Sequence, residues 1–493
     1  MTACTNRHRV SLTQRRVLLW ILLLWLAFAV RVVSLEAQGL WRDEVDALNF
    51  ATAPWEELVA KFTKPGENGP LYLVLLRGWV ALTGRSAFGL RYFSLLWGVL
   101  GCVLFYVLGC RLVGKDAALW AAVLASFSPY WVWYAEEVKM YTWVPALVLL
   151  ALYALDRACV RPRWYWWGVL VVATSFAFYS HILAALLIPV EVVWFFLHPC
   201  RNRRAWLGGA ASLALLTLPY LPLLRWQARL ALVVRETGFP SYTLSQMAQM
   251  LLSAWSTGIA GWGVSVGPIL FAGLAVVGVG ALFWQQHWRR ALFLVAWVAV
   301  PLLTIWAVSL RGPIFTDRYL IWTSPAFYLA VGAGIAFLRR YSDKLAALCF
   351  LALLLFEGVN LYRQVALPIK PQFREVAAYL QSNRDPEDLL LFQIPYNHIV
   401  VAYYMDVPLD PYAEAAYTNW RTEDGGYLWG SEEVAAVMRS LLGGHKGVWL
   451  VYSESAMWDE RALVKAWLDA NASLEVSQPF MGVELFYYDL QGP

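Results

Sequence analysis

Three groups of charged residues are set between long apolar stretches, where charge is costly and usually kept for a purpose. The first is Trp41-Arg42-Asp43-Glu44. Adjacent carboxylates offer a general base, Asp43, with a neighbour, Glu44, to position a substrate or tune that base. An amphipathic interfacial helix with a solvated acidic face is the alternative. The second group runs from Ser128-Pro129-Tyr130 to Tyr134, then through Glu136-Glu137-Val138-Lys139-Met140-Tyr141. Lys139 and Tyr141 suit a phosphate head group, and the aromatics suit the interface where a lipid enters. An aromatic belt with snorkelling charges has the same composition. The third is Arg311-Gly312-Pro313 followed by Thr316-Asp317-Arg318-Tyr319. The rigid fork of an arginine matches phosphate, but a plain loop ion pair of Asp317 with Arg318 or Arg311 is equally compatible.

Single residues add to these groups. His181 lies at a turn between two apolar runs and can donate to a sugar or phosphate; an ordinary interfacial histidine is the bland reading. Arg91 is placed to reach a phosphate or an acid of the first group. Glu191 falls inside an apolar run, where an acid is a functional candidate by default, or is simply bonded to a neighbouring helix. Asn471-Ala472-Ser473 fits a glycosylation sequon, a weak signal. There is no phosphate-cradling Gly-Lys-Ser/Thr loop, no metal-spaced Cys/His set and no nucleophile elbow. No cofactor or metal is therefore expected, and nothing points to nucleic acid.

The elements that must hold these residues are membrane helices. The chain has 493 residues, of which 60% are hydrophobic and only 15% charged, and its mean hydropathy is +0.52. This excludes disorder, collagen and a disulfide-stapled secreted domain. Runs long enough to span lie at about 17–35, 87–110, 116–131, 140–156, 164–181, 183–197, 205–223, 262–284, 291–310, 319–338 and 343–361. The shorter stretch Leu71–Thr83, which carries Arg77, reads as an interfacial or re-entrant helix.

About eleven spans with the N-terminus inside put seventeen Lys/Arg and three acids (Asp116, Asp156, Asp343) in the inner segments, against eleven Lys/Arg and eleven acids in the outer loops. Positive charge is retained on the inner side in this way. Counting Leu71–Thr83 as a span would invert every later loop and put Arg201, Arg203, Arg204, Arg339 and Arg340 outside. Cys4, Cys102, Cys110, Cys159, Cys200 and Cys349 all fall in spans or inner segments, so no disulfide framework is implied. The three charged groups all map to the outer face.

The expected organisation is a cytoplasmic N-terminus (1–16), a transmembrane catalytic domain (17–365, first outer loop about 35–86) and an extracytoplasmic domain (368–493). In the last, Phe373–Gln381, Glu432–Leu442 and Ala462–Ala470 look helical. Leu389–Ile394, Gly447–Tyr452 and Val483–Tyr488 read as strands, which together suggest a small α/β domain.

Taken in order, these groups resemble the GT-C superfamily of membrane glycosyltransferases. Within it they are most similar to the glycosyltransferase 39 / protein O-mannosyltransferase-like group, which is related to the lipid A aminoarabinose transferases. The family's acidic pair is matched by Asp43-Glu44. Its His-Pro-Pro-Leu-Tyr-like segment is matched by Asn68-Gly69-Pro70-Leu71-Tyr72, which departs at the first two positions. Its Ser-Pro…Tyr-Ser-Gln-Glu-Ala-Arg-Met-Tyr segment is matched by Ser128-Pro129…Tyr134-Ala135-Glu136-Glu137-Val138-Lys139-Met140-Tyr141, with lysine replacing arginine. Its Pro…Arg-Tyr-Leu segment is matched by Pro313…Arg318-Tyr319-Leu320.

The resemblance covers about 17–365 and implies a GT-C fold with about eleven transmembrane helices. It also implies an inverting glycosyltransferase in a bacterial plasma membrane. The donor would be a polyprenyl-phosphate sugar, and the acceptor an unidentified hydroxyl on a protein, lipid or glycan at the outer face. Asp43 and Glu44 would be catalytic. Arg91, Glu137, Lys139, Tyr141, His181, Arg311, Arg318 and Tyr319 would hold the donor phosphate and substrate. A polytopic transporter or lipid flippase is the competing reading, and it predicts paired repeats and broken mid-membrane helices; no repeat is visible. A non-catalytic scaffold would leave Asp43 without a role.

Overall fold

The structure, a computed structural model, describes residues 12–62, 69–198, 202–221, 239–405, 407–422 and 424–491. Cys4, Arg7, Arg9, Asn68, Cys200, Arg201 and much of the 225–261 loop lie outside the described residues. Two compact units emerge. One contains the chain up to Leu35 together with Phe50–Ala366, and the other contains Glu36–Asn49 together with Leu367 onward. The first charged group is therefore carried by the second unit, with the C-terminal tail.

The first unit is helical, and it makes the protein an integral membrane protein. Among the described residues six helices have the length and apolar character to cross a membrane: Ala87–Leu112, Trp143–Val160, Gly267–Trp284, Trp288–Ser309, Asp317–Leu338 and Asp343–Ala366. Ile21–Val32, Pro70–Thr83 and Ile182–Leu197 are shorter apolar helices. Close packing comes from small residues, which let helix backbones approach. A Cβ at Gly278 would lie 1.9 Å from the Ala330 carbonyl, and one at Gly334 2.1 Å from the Leu274 carbonyl. A Cβ at Gly332 would lie 2.3 Å from the Ala117 carbonyl.

Several expected spans are interrupted for local reasons. The 116–131 run divides into Lys115–Phe127 and Pro129–Ala135 because Ser128 caps a new helix, accepting from the Trp131 N–H, with Pro129 in the first turn. The 183–197 run opens as a 3-10 turn, Ile182–Leu186, and the 319–338 run opens within another, Asp317–Thr323, before the Ser324–Leu338 helix. Glu191 accepts a hydrogen bond from Thr174 of the adjacent helix at 2.6 Å. Cys102, Cys110 and Cys349 are free thiols.

The second unit is built on a five-stranded sheet of order β2-β1-β3-β5-β4. The strands are β1 (Leu389–Phe392), β2 (Tyr412–Glu414), β3 (Gly447–Tyr452), β4 (Ser473–Phe480) and β5 (Val483–Asp489). β1 runs parallel to β2 and β3, whereas β5 is antiparallel to β3 and β4. Alternate strand residues face opposite sides. Leu389, Leu391, Val448 and Leu450 meet Val434, Met438, Val464 and Leu468 of the Ser431–Leu442 and Leu463–Asn471 helices. Trp449 points the other way, toward Tyr379 of the Phe373–Asn383 helix. That helix buries Phe373, Val376, Ala377 and Leu380 along one stripe.

Candidate functional site

Within the membrane unit, buried aromatic side chains and half-buried cationic ones gather where three segments converge. The Pro129–Ala135 helix spans about 10 Å at 1.5 Å per residue, too little to cross a bilayer, and it ends in the turn that carries Glu136 to Tyr141. Its Tyr130 ring stands edge-on to Tyr134 at 5.0 Å, and Tyr134 edge-on to Tyr141 at 5.1 Å. The Arg318 guanidinium lies 5.9 Å from the Tyr141 ring centre and 6.0 Å from that of Tyr319, within cation–π range. His181, which ends the Trp164–Ser180 helix, lies 4.9 Å from the Tyr319 ring and 6.4 Å from the Tyr141 ring. Tyr141, His181, Arg318 and Tyr319 are thus gathered, although they come from three distant parts of the chain.

The turn is held from below. Ser34 donates to the Glu136 carboxylate at 2.5 Å. Ser94 donates to the Lys139 carbonyl at 3.2 Å, and Thr142 returns a bond to the Ser94 carbonyl at 2.7 Å. Arg91 is buried and donates to the Leu35 carbonyl at 2.9 Å. Glu137 is buried and Lys139 half-buried. Gly69, in the left-handed region at φ 77°, brings the start of the Pro70–Thr83 helix against the same turn, because a Cβ there would lie 3.1 Å from Met140. His181 is buried, and neither ring nitrogen has a hydrogen-bond partner among the described residues. Burial, and then the nearby carboxylates of Asp317 and Glu137, push the Tyr134 phenol well above its ordinary value. It stays protonated and available as a donor. Arg311 is different: it is exposed and makes no side-chain hydrogen bond or ion pair among the described residues.

Arg31 falls inside the first apolar run, 17–35, and was given no role from the sequence. It is fully buried, with its guanidinium donating to the carbonyls of Ala27 at 2.9 Å and Ser126 at 3.1 Å. A Cβ at Gly98 would lie 3.3 Å from its Nε and 3.1 Å from Ala135. A lone arginine in an apolar run was the signal available. Its bond to Ser126 ties the first helix to the segment just before the Pro129–Ala135 helix.

The second unit positions Asp43 and Glu44. Both sit in the first turn of the Arg42–Thr52 helix, where the helix dipole favours negative charge. Asp43 is half-buried and Glu44 is fully buried. Glu44 forms an ion pair with Lys370 at 3.0 Å, and it also accepts from the Trp41 N–H at 3.3 Å. Arg42 pairs with Glu454 at 3.0 Å. Gln38 accepts from the Ile369 and Lys370 N–H groups. The two acids therefore differ: Glu44 is occupied in a buried pair, and Asp43 keeps partial access to solvent.

Comparison with known proteins decides the fold. The apo ArnT of Cupriavidus metallidurans superposes with a TM-score of 0.60 at 16% identity, covering 98% of this chain and 100% of that one. The chain has the GT-C glycosyltransferase fold. The same ArnT bound to undecaprenyl phosphate gives 0.57 at 15% identity, with 98% and 100% covered. The Archaeoglobus fulgidus oligosaccharyltransferase in complex with Zn and sulfate gives 0.56 at 12% identity, covering 96% of this chain and 73% of that one. Residues 64–226 match the family model for dolichyl-phosphate-mannose-protein mannosyltransferases. No curated protein sequence matches the chain significantly. The matched 64–226 segment includes Arg91, Glu137, Lys139, Tyr141 and His181.

Proposed function

We propose that the chain is an inverting glycosyltransferase that moves a sugar from a polyprenyl-phosphate carrier to an acceptor hydroxyl at the outer face of the membrane. The observation that carries this reading is the gathering of buried Tyr141 and His181 with half-buried Arg318 and Tyr319 beside the turn bearing Lys139. A lipid phosphate leaving the anomeric carbon gains charge, and fixed cations and phenols in a water-poor site stabilise that charge. Lys139 and Arg318 are assigned to the phosphate, with Tyr141, Tyr319, Glu137 and Arg91 supporting them. His181 is a donor toward the sugar or phosphate. Arg311 keeps only a peripheral role at the membrane surface.

The acceptor hydroxyl must lose a proton as it attacks. We assign this to Asp43, whose side chain is half-buried, whereas Glu44 is fully buried. In a single displacement the sugar's configuration inverts, and no second carboxylate is needed as nucleophile. The test is reconstitution in nanodiscs with a polyprenyl-phosphate sugar and an envelope extract as acceptor. Release of polyprenyl phosphate together with an anomerically inverted product is expected. Unchanged donor with vectorial movement of the lipid between leaflets would instead indicate a flippase.

A further inference from the structure

The sheet of the second unit has a feature that the proposed reaction does not use. β1 is flanked by β2 on one side and β3 on the other, all three parallel, so the chain reverses its direction of winding at β1. In open α/β sheets, ligands bind outside the carboxyl ends of the strands at such a reversal. Here the loops leaving all three carboxyl ends carry aromatic rings in mutual contact. Tyr396, after β1, lies 5.9 Å from Trp458, after β3. Tyr417, after β2, lies 4.8 Å from Trp458 and 5.0 Å from Trp420. Tyr396 is 56% exposed and Trp420 57% exposed. Rings of this size are normally buried unless they serve as contact surface.

The platform is fixed by hydrogen bonds, and two buried amides, Gln393 and Asn397, flank Tyr396 in sequence. The Trp458 indole donates to the Ala415 carbonyl at 3.0 Å, and Asn419 links its loop to the Ala456 carbonyl at 3.0 Å. At the end of β1, Gln393 is fully buried and neither amide atom has a hydrogen-bond partner among the described residues. Asn397 donates to Ser453 at 2.8 Å, and its carbonyl oxygen is left without a partner among those residues. Buried amides without partners are costly and are seldom kept without a role.

We infer that this surface is a saccharide-binding site. A sugar ring presents an apolar face of C–H groups that packs on the negative face of an aromatic ring. Its rim of hydroxyls both donates and accepts, as carboxamides do. The site also adjoins the segment bearing Asp43: Glu454, which follows Ser453 and precedes the Trp458 helix, is the ion-pair partner of Arg42. Resting on the reading of the chain as a glycosyltransferase, the saccharide bound here is the acceptor, so the acceptor is a glycan rather than a protein or lipid.

The test uses the full chain in nanodiscs, probed on an array of hexose and pentose oligosaccharides. The strongest binder is then titrated against Trp420→Ala, Tyr396→Ala and Tyr396→Phe proteins of normal melting temperature. Each alanine variant should lose affinity by about tenfold or more, as aromatic anchors do. Tyr396→Phe keeps the ring and should stay within about threefold. Absence of any binder, wild-type affinity in both alanine variants, or lost binding with unaltered sugar transfer overturns the proposal. Glycan binding that depends on Trp420 and Tyr396 in a protein that transfers no sugar leaves the saccharide site standing and removes the enzymatic reading.

Discussion

Glu44 and Lys370, 326 residues apart in sequence, meet in a buried ion pair at 3.0 Å. Both side chains are almost wholly withdrawn from solvent. The pair joins the segment after the first helix to the start of the C-terminal tail, and Gln38 adds bonds to the Ile369 and Lys370 amides. Removing one member of a buried pair typically costs about 3–5 kcal/mol, whereas replacing both by apolar groups is often neutral. Glu44→Gln or Lys370→Met alone should sharply lower the unfolding temperature of the purified protein. The Glu44→Leu/Lys370→Met double variant should recover most of it. A near-normal melt for Glu44→Gln would show that the pair carries little stability.

Lys139→Ala and Arg318→Ala should weaken donor use. A charge-assisted hydrogen bond contributes about 1.5–3 kcal/mol, or roughly ten- to 150-fold in KM for the polyprenyl-phosphate sugar. Arg311→Ala should change KM by less than about threefold, because the exposed side chain has no partner among the described residues and surface charges contribute little. Steady-state kinetics of the three variants separates the gathered arginine from the peripheral one.

Gly278→Val should prevent assembly of the membrane unit. Even a Cβ at that position would lie 1.9 Å from the Ala330 carbonyl, and a backbone contact cannot give way as a flexible side chain can. Overpacking usually costs about 1–3 kcal/mol, and more where the backbone must move. Gly273→Val, where a Cβ meets nothing within 4 Å, is the control. Yield of monodisperse protein in detergent reads the difference.

An outer location for the second unit predicts that a cysteine replacing the exposed Ser440 reacts with a membrane-impermeant maleimide in intact cells, above the background of the parent protein. Protection until lysis reverses the orientation derived from the Lys/Arg distribution.

How much of this was legible in the sequence depended on how local the signal was. β3 and β5 were readable because Val448–Tyr452 is a continuous apolar or aromatic run and Val483–Tyr488 is one broken only by Glu484. β2, at three residues, is below the length at which alternation can be seen. β4 lies at the sheet edge with exposed polar residues and Pro479, a composition suited to an edge but indistinct as a strand. The break at Ser128-Pro129 follows from cap chemistry and could have been read. The charged groups were found because charge between apolar runs is conspicuous. The burial of Glu44 by Lys370 left no local trace, since neither residue's neighbours announce a partner hundreds of positions away. Tyr396, Tyr417, Trp420 and Trp458 were lost among 28 Trp and 25 Tyr until the strand order brought their loops together.

The most direct test is the turnover of Asp43→Asn. The variant keeps side-chain size and removes the carboxylate that takes the acceptor proton, while the Glu44–Lys370 pair that anchors its helix is untouched. General-base assistance is worth about 10²–10⁴-fold. Folded Asp43→Asn protein, given a polyprenyl-phosphate sugar and acceptor, should lose turnover on that scale with donor affinity unchanged. Near-normal turnover would contradict the assignment of Asp43 as the base, and with it the proposed division of labour between Asp43 and Glu44.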